Sequence, residues 1–162
     1  MILGIVGDTH NNLKNISKIC EIFNEKKVNL VIHTGDITLP KSLEAFKNLN
    51  SKIIGVFGNN DIEEKEDLLK ICERFKFSFN NEPYFIRLEN KNIGIVHHPE
   101  LINEDLLNKS DIIFHGHTHR YRAEMLKETL IFNPGECAGF MEGKNQVGIL
   151  DLKNLDPRVI KF

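Results

Sequence analysis

The 162 residues are 41% hydrophobic and 27% charged with a formal net charge of -2, the balance of a globular protein rather than a disordered or fibrous one. Near-neutrality argues against a general electrostatic grip on nucleic acid or anionic lipid, and no apolar run approaches the roughly 20 residues needed to cross a bilayer. The chain enters a strand at once, with no basic or apolar leader, and Cys20, Cys72 and Cys137 are an odd, widely spaced set without Cys-x-x-Cys. Reduced, buried thiols and a cytoplasmic location are expected.

Ile2 to Val6 is a short apolar run that ends in Gly7-Asp8-Thr9-His10, as a buried strand feeding a loop should. Ile16, Ile19, Cys20 and Phe23 then recur at helical steps, which predicts an amphipathic helix over Leu13 to Lys26. A second strand over Leu30 to His33, a helix around Ser42 to Asn48 and a strand over Lys52 to Phe57 come after it, the last closing on Gly58-Asn59-Asn60-Asp61. Right-handed crossovers make these three strands parallel, with their carboxyl ends along one edge where ligands bind. A helix over Lys65 to Arg74 leads to a hairpin of Tyr84 to Leu88 and Ile93 to Val96, turned at Glu89-Asn90-Lys91-Asn92. A helix around Asn103 to Lys109 and a strand over Ile112 to His115 come next. The rest, Ala123 to Leu126, Thr129 to Phe132, Val147 to Leu152 and Arg158 to Lys161, reads as antiparallel strands joined by tight turns. No repeat, linker or boundary divides residues 1–162, so one domain is expected.

Chemistry is carried by the polar residues at the strand exits. Asp8 and His10 leave the first strand, Asp36 the second, Asn59 and Asp61 the third, His97 and His98 the hairpin, and His117 and His119 the strand ending at His115. These loops hold five of the seven histidines and are framed by Gly7, Gly35, Gly58 and Gly116, whereas solvated loops favour Lys, Glu and Ser. Imidazole and carboxylate converging on one edge suggest metal. In an extended segment Asp8 and His10 point to the same side. Asp36 has two oxygens able to bridge two cations, Gly35 lets the backbone approach closely, and Gly116 gives a sharp turn out of its strand. Asp8, Asp36, Asn59 and the imidazoles of His10, His97, His117 and His119 are too many ligands for one ion that keeps a water position open. Two ions solve the count.

The ordered set Asp8-x-His10, Gly35-Asp36, Gly58-Asn59-Asn60-Asp61, His97 and Gly116-His117-Thr118-His119 resembles the calcineurin-like metallophosphoesterase family over essentially the whole chain. The short length is similar to the small single-domain phosphodiesterases of bacteria and archaea. The resemblance implies an α/β fold, a sandwich of two mixed β-sheets flanked by α-helices. It also implies one divalent ion on Asp8, His10 and His119, a second on Asn59, His97 and His117, and Asp36 between them. Such a centre lowers the pKa of a bridging water, and hydroxide attacks phosphorus in line, with no protein nucleophile. Oxygen and nitrogen donors suit manganese or nickel first, with iron, cobalt, zinc or magnesium also admitted.

Asn59 is a neutral ligand that leaves the ions electrophilic. Many relatives carry histidine where Asn60 stands; Asn60 cannot act as an acid but can donate hydrogen bonds to a phosphoryl oxygen. His98 stands where glycine is common, adding bulk beside the ions or replacing the missing imidazole as proton donor. Asn59, Asn60 and His98 are therefore the expected catalytic residues. Asp61 is expected to fix a loop or ligand, His33 and His115 to be packing histidines, and Asn133-Pro134-Gly135-Glu136 to be a turn near the site. A metal-dependent phosphodiesterase acting on a small diester is the expectation, with no specific nucleic-acid binding, no membrane and homo-oligomerisation left open. The rivals are a phosphomonoesterase or nuclease, and a weakly catalytic interaction scaffold such as the retromer subunit of this fold. Completeness of the ligand set favours the enzyme.

Overall fold

The computed structural model describes residues 1–162. The chain runs β1 (Ile2–Val6), α1 (Leu13–Glu25), β2 (Leu30–His33), α2 (Pro40–Ala45), β3 (Lys52–Val56), α3 (Lys65–Phe75), β4 (Ser78–Asn80), β5 (Tyr84–Leu88), β6 (Lys91–Ile95), α4 (Glu104–Lys109), β7 (Ile112–Phe114), β8 (Arg122–Leu126), β9 (Thr129–Asn133), β10 (Gln146–Asp151) and β11 (Asp156–Lys161). Six strands form one sheet in the order β11-β10-β1-β2-β3-β4, and five form a second in the order β5-β6-β7-β9-β8.

Alternation within each strand decides the layers. Leu3 and Ile5 of β1, Leu30 and Ile32 of β2 and Val56 of β3 meet Ile93 and Ile95 of β6, Ile112 and Phe114 of β7, and Leu130 and Phe132 of β9 in a core between the sheets. The opposite faces of β1 to β3 present Val6, Val31 and Ile53 to α1, α2 and α3. There Gly4 leaves room for Phe23 of α1, since a Cβ at that position would lie 2.8 Å from the ring. Ile113 and Ile131 face Leu106 and Leu107 of α4 on the far side of the second sheet. The result is a helix–sheet–sheet–helix sandwich, as the resemblance implies. Each buried aliphatic or aromatic side chain contributes roughly 1.5–3 kcal/mol. Cys20, Cys72 and Cys137 are free and buried, as expected.

Several local expectations need correction. The second helix starts at Pro40, whose fixed φ suits the first helical position, and its last turn tightens to a 3-10 turn over Phe46–Asn48. A fourth parallel strand, β4, was not expected; it pairs with β3 over three residues, too few to show a period. The hairpin turns at Glu89 and Asn90 alone, both at positive φ, so β6 begins at Lys91. The strands after Ala123 are not one antiparallel run. β9 pairs in parallel with β7, and β10 crosses to the other sheet to lie antiparallel to β1.

Candidate metal centre

The parallel strands of both sheets end at one edge, and their exits are laced together there. Asp8 N–H donates to Gly35 O (2.8 Å), His10 N–H to Asp36 O (2.9 Å), and Gly116 N–H to His97 O (3.1 Å). Gly35 sits at φ +100, and a Cβ on it would lie 2.7 Å from His97 Nδ1, so only glycine fits between the loops. The expectation for Gly116 is corrected: its φ is ordinary, and it is small because a Cβ would lie 2.8 Å from Asp8 Oδ2. Asp8 and His10 do not share a face through extended backbone either. Both are left-handed (φ 54 and 43), and the pattern repeats at Asp36 and Thr38 (59 and 76) and at His117 and His119 (69 and 53). Alternate left-handed residues bend each exit into a hook that aims its donors into one space. Such strain persists only where surrounding structure over-determines it.

The seven expected ligand residues are gathered here. Ligand atoms of Asp8, His10 and His119 lie within 4.8 Å of one another, as do those of Asp8, Asp36 and His97. His97 Nδ1–H donates to Thr34 O (2.9 Å), which leaves Nε2 bare. That bare nitrogen faces Asn59 Oδ1 at 3.0 Å, Asp36 Oδ2 at 3.5 Å and His117 Nδ1 at 3.2 Å. On the other side His119 Nδ1–H donates to Glu136 Oε2, so His119 Nε2 presents a lone pair 3.4 Å from His10 Nε2 and 3.8 Å from Asp8 Oδ1. Ring nitrogens and carboxylate or amide oxygens thus crowd within 3.8 Å of one another in one space, an arrangement that suits a cation. Burial sharpens the point. It pushes the Asp8 carboxyl up to about 7, His119 opposing and Asp36 adding, and it lowers His10 and His97, which favours the neutral form a metal can accept. The donor set fits divalent ions.

The remaining expected residues fall around this centre. Asn60 donates its backbone N–H to Asp36 Oδ1 (2.9 Å) and its side-chain Nδ2 to Asp36 Oδ2 (2.7 Å), holding the carboxylate at both oxygens. His98 packs 4.7 Å from the rings of both His97 and His117, and the three histidines place nitrogens within 4.8 Å of one another. Asp61 is the loop fastener the sequence suggests. Its carboxylate accepts from the backbone N–H of Gly58 (2.8 Å), Asp36 (3.0 Å), Ile37 (2.7 Å) and Thr38 (2.6 Å). His33 and His115 are buried and hydrogen-bonded to Thr9 Oγ1 and Gly116 O, packing histidines as expected. Cys137 is no ligand: its thiol donates to Gly7 O (2.9 Å), and burial raises its pKa well above the ordinary value.

The sequence reading missed two carboxylate roles, that of Glu82 altogether and that of Glu136 in a turn it had placed near the site. Glu82 accepts from His97 N–H (2.5 Å), His98 N–H (2.9 Å) and His98 Nδ1 (2.5 Å). Glu136, only 2% exposed, accepts from His119 Nδ1 and from Phe140 N–H (2.8 Å). The one available signal was Glu136 standing as a lone charge among Gly135, Cys137 and Ala138, because a buried charge needs a partner.

A two-sheet sandwich that gathers neutral imidazoles, carboxylates and an amide at one edge, with no serine or thiolate nucleophile beside them, defines a metal-dependent hydrolase of phosphoric esters. The profile of the calcineurin-like phosphoesterase superfamily domain matches residues 1–155, and the chain belongs to that family. It is 36% identical to phosphodiesterase MJ0936 of Methanocaldococcus jannaschii, covering 99% of this chain and 98% of that one. It is 28% identical to phosphodiesterase YfcE of Escherichia coli K12, over 85% of this chain and 80% of the relative. A solved structure described as a novel archaeal phosphodiesterase superposes with a TM-score of 0.91 at 34% identity, covering all of both chains.

Proposed function

We propose that the chain is a phosphodiesterase that hydrolyses small diesters at a dinuclear centre. In this reading Asp8, His10 and His119 hold one ion, Asn59, His97 and His117 the second, and Asp36 lies between them. The observation that carries it is the bare Nε2 of His97 turned toward Asn59 Oδ1 and Asp36 Oδ2, its tautomer fixed by Thr34 O. The relatives that bear the name phosphodiesterase support the diester preference. Manganese or nickel is the favoured metal; nitrogen and oxygen donors without thiolate fit both, as they fit iron, cobalt and zinc.

When bound, the ions would supply an activated water and polarise the phosphoryl oxygens. The protein supplies positioning. Thr34 and Glu136 set the tautomers of His97 and His119, and Asn60 fixes the Asp36 carboxylate through two hydrogen bonds. Asn60, already beside that carboxylate, is the amide donor for a phosphoryl oxygen. His98, oriented by Glu82 through Nδ1, would give a proton from Nε2 to the departing oxygen in its doubly protonated form, with Glu82 balancing the charge. The reading treats residues 1–162 as one domain working in the cytoplasm, which the free buried cysteines support.

The test is metal-stripped protein reconstituted in turn with manganese, nickel, cobalt, zinc and magnesium. It would be assayed on a diester and a monoester sharing one chromogenic leaving group. Two ions per chain and diester turnover are expected, with Asp36→Asn lowering kcat by at least about a hundredfold. Two bound ions without turnover on either ester would replace the enzyme with a scaffold, and faster monoester turnover would make it a phosphomonoesterase.

A further inference from the structure

A phenylalanine stands in solvent beside the centre, and the fold holds it there. Phe140 is 69% exposed, yet its ring stacks on His119 (centroids 5.5 Å, planes 22° apart) and lies 5.0 Å from the ring of His10. The segment carrying it is fastened from two sides. Glu136 Oε1 accepts the Phe140 N–H (2.8 Å) while its other oxygen accepts from His119, so one buried carboxylate ties the ring to the histidine it covers. Asn12, which caps α1, donates to Ala138 O (2.7 Å), and Asn15 within α1 donates to Cys137 O (2.7 Å). Hydrophobic packing does not explain the position, since most of the ring faces water. A cavity of about 460 Å³ opens beside it, floored by His10, Asn11, Asn12 and Leu13 and walled by Ala138 and Phe140.

We infer that Phe140 is the stacking platform for the retained ester arm of the substrate, and that the enzyme selects diesters whose retained arm ends in a planar ring, such as an aryl group or nucleobase. The inference rests on the diesterase reading above. A diester held at the centre has two arms. The departing one heads for the proton donor, and His98 lies on the His97–His117 side. The retained arm is then left to the His10–His119 side, where the free face of Phe140 is available. Stacking of this kind tolerates many rings because every one has a π-face, and it costs little ordering because the platform is already fixed.

The experiment compares 4-nitrophenyl phenyl phosphate with 4-nitrophenyl methyl phosphate on the metal-loaded full chain. The two share a leaving group and differ only in the retained arm. Wild type is expected to favour the phenyl arm in kcat/KM. Phe140→Ala should lower that phenyl-to-methyl ratio about tenfold, mainly through KM, and Phe140→Trp should restore it. A ratio unchanged in Phe140→Ala overturns the platform, because a ring that merely shields His10 and His119 would alter both substrates alike. If wild type turns over neither ester, the diesterase reading falls instead. The platform is then judged by calorimetric affinity for phenylphosphonate against methylphosphonate: loss of the phenyl preference in Phe140→Ala sustains it, and an unchanged preference removes it.

Discussion

His33 shows how one side chain's surroundings become a pH dependence. Gly35 N–H donates to its Nδ1 (3.2 Å), so its Nε2–H is the group facing Thr9 Oγ1 (3.0 Å), and the ring packs edge-on against Phe46. Burial drives its pKa down from 6.5 to about 3, so the folded protein holds it neutral while the unfolded chain takes up a proton below 6.5. Stability from this residue is therefore full above 6.5 and falls as the pH drops toward 3. Urea denaturation of metal-free protein should show wild type losing about 2 kcal/mol more than His33→Gln between pH 7.5 and 5, from 1.36 kcal/mol per unit. Parallel pH profiles for the two proteins would refute the assignment. At this scale the residues proposed as ligands could be picked out because metal chemistry needs particular side chains at strand ends. Glu82 and Glu136 were not, because each finds its histidine 16 or 17 residues along the chain through folding alone.

Between elements, Asp61 is the joint that sets where two strand exits stand. It lies after β3, yet three of its four backbone donors, Asp36, Ile37 and Thr38, belong to the segment after β2. Asp61→Ala strands these buried N–H groups and should cost at least about 3 kcal/mol in chemical denaturation, since each unsatisfied donor costs about 1–3 kcal/mol. Because Asp36 rides on the same segment, calorimetry should also show weakened metal binding; unaltered affinity would mean that Asp36 is held by Asn60 alone. The parallel β1, β2 and β3 were legible from apolar runs alternating with helical spacing. β4 was too short to carry a period. β9 pairs with β7 and β10 with β1 across long stretches of chain, non-local pairings that no window of sequence contains.

Across the whole molecule the core and the centre are separate investments of the chain. The cores between the sheets and under the helices are apolar and contain none of the proposed ligands. Chelation should leave the far-UV circular dichroism and a cooperative unfolding transition intact while abolishing turnover. Restoring metal to a hundredfold excess over its dissociation constant should add about 2.7 kcal/mol to stability for each ion bound. Loss of the fold on chelation would show the metal to be structural. The two-sheet sandwich was legible through the family resemblance that the strand-end motifs carry, while periodicity by itself reached the parallel β1, β2 and β3.

The hooked exits have one more consequence, which concerns descent rather than mechanism. Left-handed backbone costs roughly 1–2 kcal/mol at a residue with a side chain, and glycine escapes most of it. Metal-free His117→Gly should accordingly be more stable than metal-free wild type by about 1 kcal/mol, measured by denaturation, even though it forfeits a ligand. A descendant freed from the need for turnover would drift first at these hooks, because selection for stability alone pulls against them.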